Sequence, residues 1–304
     1  MLIPHLNQLN QRFGCNGAVQ FRLYAEHYPI VLIDNSLASA SIALQGGHLM
    51  TYQPRGQEPV IWLSNNAKFA PGKSIRGGVP ICWPWFGPHA QDASKPGHGH
   101  ARTVPWEVLE TAVLDSGATQ IRLQLQDSSA TCAFWAHNTP VQVLIEVGSE
   151  LRISLITHNA ETQPIIISEA LHTYFYLSEI ANVQVRGLEG AEFVDKVAGT
   201  EGTTEEAALL ISSEVDRVYL NTTADCLIED TGFKRRIRIH KNHSQSTVVW
   251  NPWIEKAEKM GDLGEQGYRR MLCVESANAL QNSVEIAPGA SHSLSVVYSL
   301  EALS

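Results

Sequence analysis

The chain has 304 residues, 44% hydrophobic and 17% charged, which is ample for a packed core and unlike a disordered composition. A formal charge of −9 argues against nucleic-acid partners and anionic membranes, both of which select basic faces, though a local arginine pair can still capture a small anion. Five cysteines without a CxxC pair read as reduced thiols, no apolar run reaches the ~18 residues of a membrane span, and MLIPHLNQLNQRFG lacks the marks of a signal peptide, so a cytoplasmic protein is expected.

Along the chain, Ile3, Leu6, Leu9 and Phe13 recur at helical spacing and predict a short opening helix. Period-two alternation then takes over near Val19–Leu23, Ile30–Ile33 and Ser39–Leu44, and again at Ile121, Leu123 and Leu125. Val141, Val143, Ile145 and Val147 alternate with polar or solvent-side residues. The segment GSE follows, and Leu151, Ile153 and Leu155 resume the pattern, which predicts a hairpin. Similar strands recur near Ile237–Ile239, Thr247–Trp250 and Ser293–Tyr298. With no helical pattern inserted between them, the expected fold is all-β: a large antiparallel β-sandwich with a few short helices, forming one domain over residues 1–304.

Three segments differ in kind, residues 68–106, 168–177 and 250–278, where Trp, Pro, His and Arg concentrate. The first contains RGGVPICWPWFGPH, Arg76 to His89, too proline-rich for a sheet interior and too apolar for a solvated loop. Such segments on a sandwich are expected to surround one pocket.

Candidate chemistry follows from these segments. SEALHTYFYL reads as a strand from Ser168 to Leu177 with His172 within it, either a core histidine satisfied by a carbonyl or an acid–base group. Glu275 ends the buried pattern Met271–Val274, either as an edge carboxylate paired with Arg269 or Arg270 or as a base. Arg76 precedes two glycines that permit close backbone approach to a ligand, and Arg102 closes HGHAR; each is an ion-pair residue or half of an anion pocket. His98 and His100 form an HxH pair, but the glutamate and later histidine of a cupin metal site are missing at the required spacing. Asp216, beside Arg217, reads on its own as a solvated ion pair.

The segments RGGVPICWPWFGPH, HGHAR, SEALHTYF, EVDRVY, VVWNPWIEKAEKMGDL and YRRMLCVESAN, in this order, resemble the hexose-6-phosphate mutarotases, the glucose-6-phosphate 1-epimerase branch of the aldose 1-epimerase superfamily. The resemblance covers nearly the whole chain and implies a galactose mutarotase-like sandwich that interconverts α and β anomers by ring opening and reclosure. It implies His172 as general acid and Glu275 as general base, Arg76 and Arg102 as contacts to the substrate anion, Asp216 as a sugar-hydroxyl contact and His98 as a pocket residue. His100 departs from the pattern and receives no role. A cytoplasmic monomer acting on a sugar phosphate, with no cofactor and no metal, is the corresponding expectation. His172 is expected to start protonated, its pKa modestly raised by a nearby carboxylate, and Glu275 ionised. The tryptophans of the Pro-rich run are expected to form a stiff wall against the apolar face of a pyranose. The alternatives are a non-catalytic sugar-binding module of the same fold, a mutarotase of an unphosphorylated aldose, and a metal-dependent isomerase built on His98 and His100.

Overall fold

A computed structural model describes residues 2–15, 17–25, 27–126 and 128–303. Strands dominate it, and every pairing between them is antiparallel. Nine strands form the larger sheet, in the order Leu209–Leu210, Val183–Arg186, Cys226–Asp230, Arg235–Asn242, Ser291–Ala302, Leu151–His158, Val141–Val147, Thr119–Leu125 and Trp106–Val113. The predicted hairpin lies inside it, with Val147 opposite Leu151. A second sheet runs Thr200–Thr203, Glu192–Asp195, Val215–Leu220, Ser246–Asn251, Met271–Asn278, Glu169–Leu171 and Ile81–Cys82, with Tyr174–Tyr176 also paired to Met271–Asn278. A four-stranded meander from Val19–Tyr24 to His48–Pro54 and a two-stranded ribbon complete the sheets.

Alternation explains why the sheets stack. Ile121, Leu123, Val143, Ile145, Ile153 and Leu155 face inward from the nine-stranded sheet, and Val249, Leu272, Val274 and Phe175 face them from the second, all within one buried cluster. The helix Leu2–Phe13 closes one end through Leu6, Leu9 and Phe13. The other helices are short, and among the described residues none is long and apolar enough to cross a membrane.

Two expected strands differ in detail. Ser168–Leu177 is not continuous: it divides into Glu169–Leu171 and Tyr174–Tyr176. At the break, Thr173 N–H turns back to the Leu171 carbonyl at 2.8 Å, and His172 N–H leaves the ladder for the Pro80 carbonyl at 3.0 Å. Conversely, Met271–Asn278 does not stop at Glu275, which sits mid-strand opposite Val248. Arg269 pairs instead with Glu179, while Arg270 donates to Tyr176 Oη and the Ser178 carbonyl.

Candidate active site

Register places the central groups. Leu171 pairs with Ser276 and Tyr174 with Cys273, so the unladdered His172 falls across from Glu275. On the other flank Val248 pairs with Glu275, Trp250 with Cys273 and Asp216 with Trp250. Because side chains alternate between faces, Asp216, Val248, Trp250, His172, Tyr174 and Glu275 share the face turned away from the sandwich core. They line a cavity of about 290 Å³, completed by residues 74–76, Pro80, Phe86, His98, Arg102 and Lys196. A larger depression of about 670 Å³ lies beside Tyr24, Trp62, Phe69 and Arg270, but it has no facing acid and base.

His172 Nδ1 approaches Glu275 Oε1 at 3.2 Å, with the carboxylate side chain 1% exposed and the imidazole 12%. The contact lacks the alignment of a hydrogen bond, and both Nδ1 and Glu275 Oε2 are enclosed without a partner. The imidazole stacks on Tyr174, ring centroids 5.0 Å apart, and meets Trp250 and His98 edgewise. Burial, with His98, Arg102 and Arg76 adding to it, drives the His172 pKa well below the usual histidine value. Burial likewise lifts Glu275 well above the usual carboxylate value, against the pull of Lys196 and Arg102. The expected modest rise at His172 and ordinary ionisation of Glu275 are therefore both reversed, because desolvation favours the uncharged form of each.

Three cations share the cavity with this pair. Arg76 donates through Nε to Asp262 at 3.1 Å and through Nη1 to Tyr174 Oη at 3.0 Å. Burial opposes its charge, but Tyr174 and Asp262 outweigh that and raise its pKa. Arg102 donates to the Gly97 carbonyl at 2.8 Å, and among the described residues it has no carboxylate partner within 4.0 Å. Lys196 Nζ lies 4.0 Å from Asp216 Oδ1 and 4.6 Å from the Phe86 ring centre. Asp216 is thus paired with Lys196, while its neighbour Arg217 turns to Asp195. Desolvation raises the Asp216 pKa, with Lys196 acting against it.

His98 sits in the left-handed region, φ 64°, and its Nδ1 accepts from Gly87 N–H at 3.3 Å. Burial first, then Arg102 and Lys196, push its pKa down to about 3. His100 leaves on the other side of the same turn, buried between Trp83, Trp85 and Phe134. The HxH pair is therefore split between cavity and core and does not converge on an ion.

Two features of the Pro-rich run also differ from expectation. Trp83 and Trp85 are not the cavity wall: both are buried, donating to Thr157 Oγ1 and the Pro96 carbonyl. Phe86, Tyr174 and Trp250 supply the aromatic lining instead. Gly77 and Gly78 approach protein rather than ligand, since a Cβ on Gly78 would meet His48 Nε2 at 2.2 Å and the Leu49 carbonyl at 2.4 Å. Asp262 lies in the segment VVWNPWIEKAEKMGDL but went unread as a partner of Arg76, and no quoted segment contains Lys196. The only local signal is the turn at Asp195, whose Oδ1 accepts from Val197 and Ala198 N–H and so exposes Lys196 at a loop tip. One further set could ligate a metal: donor atoms of His172, Cys273 and Glu275 all lie within 4.8 Å of one another.

Comparison with known proteins bears on the family and the fold. The aldose 1-epimerase family model matches residues 29–299. A Salmonella typhimurium protein named "Putative glucose-6-phosphate 1-epimerase" is 40% identical over 262 residues, 85% of this chain and 87% of its own. An Escherichia coli protein of the same name is 40% identical over 252 residues, 82% of this chain and 83% of its own. The crystal structure of a "putative mutarotase" from Salmonella typhimurium superposes with a TM-score of 0.89 at 34% identity, covering 95% of this chain and 96% of that one. A galactose 1-epimerase from Lactobacillus acidophilus shares the fold, with a TM-score of 0.71 at 14% identity over 94% of this chain and 99% of that one.

Proposed function

The chain belongs to the aldose 1-epimerase family, and from that premise we propose that it interconverts the α and β anomers of a hexose 6-phosphate, with glucose 6-phosphate as the first candidate. The observation that carries the substrate class is the cation ring. Arg76, Arg102 and Lys196 line one cavity with the His172–Glu275 pair, and among the described residues Arg102 has no carboxylate within 4.0 Å. Asp262 and Asp216 answer Arg76 and Lys196, but a neutral hexose brings no counter-charge to Arg102, whereas a phosphate accepts from it and from its cationic neighbours. Two of the most similar relatives carry glucose 6-phosphate in their names, which supports the same choice.

In the reaction, Glu275 takes the proton of the anomeric hydroxyl as His172 gives one to the ring oxygen. The C1–O5 bond opens to the aldehyde, C1 rotates, and closure on the other face returns both protons with the roles exchanged. Burial favours the proton on the carboxyl side, and the working form differs only by moving that proton across the 3.2 Å contact. Sugar binding favours the move, since O1–H donates to a carboxylate and the ring oxygen accepts from an imidazolium. Asp216, Lys196, Phe86 and Trp250 line the same cavity, which supports reading the first two as partners of sugar hydroxyls and phosphate and the two rings as cover for the C–H face of the sugar.

Magnetisation-transfer NMR of anomer exchange tests this directly, with free glucose and free galactose run beside glucose 6-phosphate. Glu275→Gln and His172→Asn should each lower the rate by about 10²–10⁴. Arg76→Ala should cost sugar-phosphate turnover about 10- to 100-fold, the worth of a charge-assisted contact, and free-sugar turnover far less. Equal losses on both sugars would remove the phosphate role, and faster exchange with free galactose would reassign the substrate.

A further inference from the structure

We propose that His172, Cys273 and Glu275 together take a thiophilic divalent cation, Zn²⁺ in the first place, and that this cation and the sugar exclude one another at the catalytic pair. Three observations meet here. Cys273 and Glu275 are two residues apart on Met271–Asn278 and so point to the same face, and His172 stands across from Glu275 in the gap of the neighbouring strand. Their donor atoms lie within 4.8 Å of one another, and the imidazole–carboxylate pair at 3.2 Å already matches the ~3.3 Å between two ligands of tetrahedral zinc. Finally, His172 Nδ1 and Glu275 Oε2 are enclosed without a hydrogen-bond partner, on a carboxylate side chain that is 1% exposed. Buried polar atoms of this kind are ordinarily satisfied; an ion bound by the pair satisfies Nδ1, and Oε2 as well when the carboxylate binds through both oxygens.

The ligand set selects the metal. A thiol and an imidazole suit zinc and not magnesium or calcium, and three protein ligands leave a fourth position toward the cavity. Zinc is held by a thiolate and a carboxylate, so as it enters any S–H or O–H proton leaves to buffer, Zn–S and Zn–O bonds form in its place, and the two anionic ligands match the charge of the ion. Exclusion of the sugar rests on the catalytic reading above; binding of the ion does not.

The test uses the whole protein titrated with Co²⁺, whose thiolate complex absorbs in the near ultraviolet. One equivalent per chain should generate the band, Zn²⁺ should displace it, and both Cys273→Ser and Cys273→Ala should abolish it. Glu275→Gln should weaken binding by about 100-fold, the upper end for damage to a metal site. Two cysteine variants are used so that misfolding of one does not decide the result. Cobalt binding without a thiolate band, or a band that survives in both variants, overturns the site. Glucose 6-phosphate should bleach the band; a band that persists while calorimetry shows the sugar bound overturns the exclusion. A band that cobalt forms, Zn²⁺ displaces and both cysteine variants abolish, in a protein that calorimetry shows not to bind glucose 6-phosphate, upholds the metal site and defeats the substrate reading alone.

Discussion

His172 and Glu275 face each other at 3.2 Å inside a cavity that disfavours charge on either. That both are the right residue types could be read from the chain: a histidine among aromatics and a carboxylate in a run of buried residues. Their protonation could not, because it depends on what the fold places around them. His98 lies edgewise to His172 at 5.9 Å, and Arg76 and Arg102 reach the same cavity from loops far away in the chain. An ordinary histidine would be about 90% protonated one unit below its pKa of ~6.5. In the free protein, the ¹⁵N resonances of His172 should instead report a neutral imidazole at pH 7 and remain so through pH 5.5. A titration midpoint at or above the ordinary value would mean that the imidazolium is present before substrate arrives. The proton transfer placed at the start of the reaction would then be unnecessary.

At the scale of elements, alternation was legible wherever a strand buries one face, which is why the hairpin at Val141–His158 follows the pattern of its residues, whereas Ser246–Asn251 is buried on both faces and shows none. What stayed illegible were local departures set by distant partners. The break at His172–Thr173 depends on the Pro80 carbonyl, and the burial of Trp83 and Trp85 on Thr157 and Pro96. Arg76–Gly78 is the clearest case. Gly78 N–H donates to the Trp62 carbonyl at 2.7 Å, its own carbonyl accepts from Tyr174 N–H at 3.0 Å, and Gly77 O meets His48 Nε2 at 2.8 Å. With φ of 102° and 71°, these glycines let the loop lie flat between the meander and the strand that carries Tyr174, the side chain to which Arg76 donates. A methyl group at Gly78 would meet His48 and backbone at less than van der Waals distance. Gly78→Ala should therefore lower stability by at least about 2 kcal/mol in denaturant melts. The folded fraction should show a higher KM for the sugar phosphate, because Arg76 moves with the loop. A stable variant with unchanged KM would mean that Arg76 is held by Asp262 and Tyr174 alone.

Four histidines, His48, His98, His100 and His172, lie buried or half-buried, and their sum shapes the response of the whole molecule to acid. Burial pushes the pKa of His48 and of His100 down to about 4 and that of His98 to about 3, and it takes His172 well below the ordinary value. The unfolded chain takes up these protons near pH ~6.5 while the folded chain does not, so between there and pH 4 the unfolded state binds more protons and stability falls as pH falls. Glu275 acts in the opposite sense. Its raised pKa means that the folded state holds a proton the unfolded state lacks until pH ~4.5, which offsets the contribution of its partner His172. The remaining deficit comes from His48, His98 and His100, and for His100 alone it amounts to about 3 kcal/mol at pH 4. Against a net stability of about 5–15 kcal/mol, three such residues bring the fold close to acid unfolding within that window. His100 isolates the effect, since it lies outside the cavity, is 1% exposed and has an enclosed Nδ1 without a partner. In denaturant melts across the range, His100→Leu should match or exceed the wild type at pH 7 and gain on it progressively, by about 3 kcal/mol at pH 4. Parallel curves for the two proteins would mean that His100 is already charged in the fold, and the acid response would then have to come from groups outside the buried histidines.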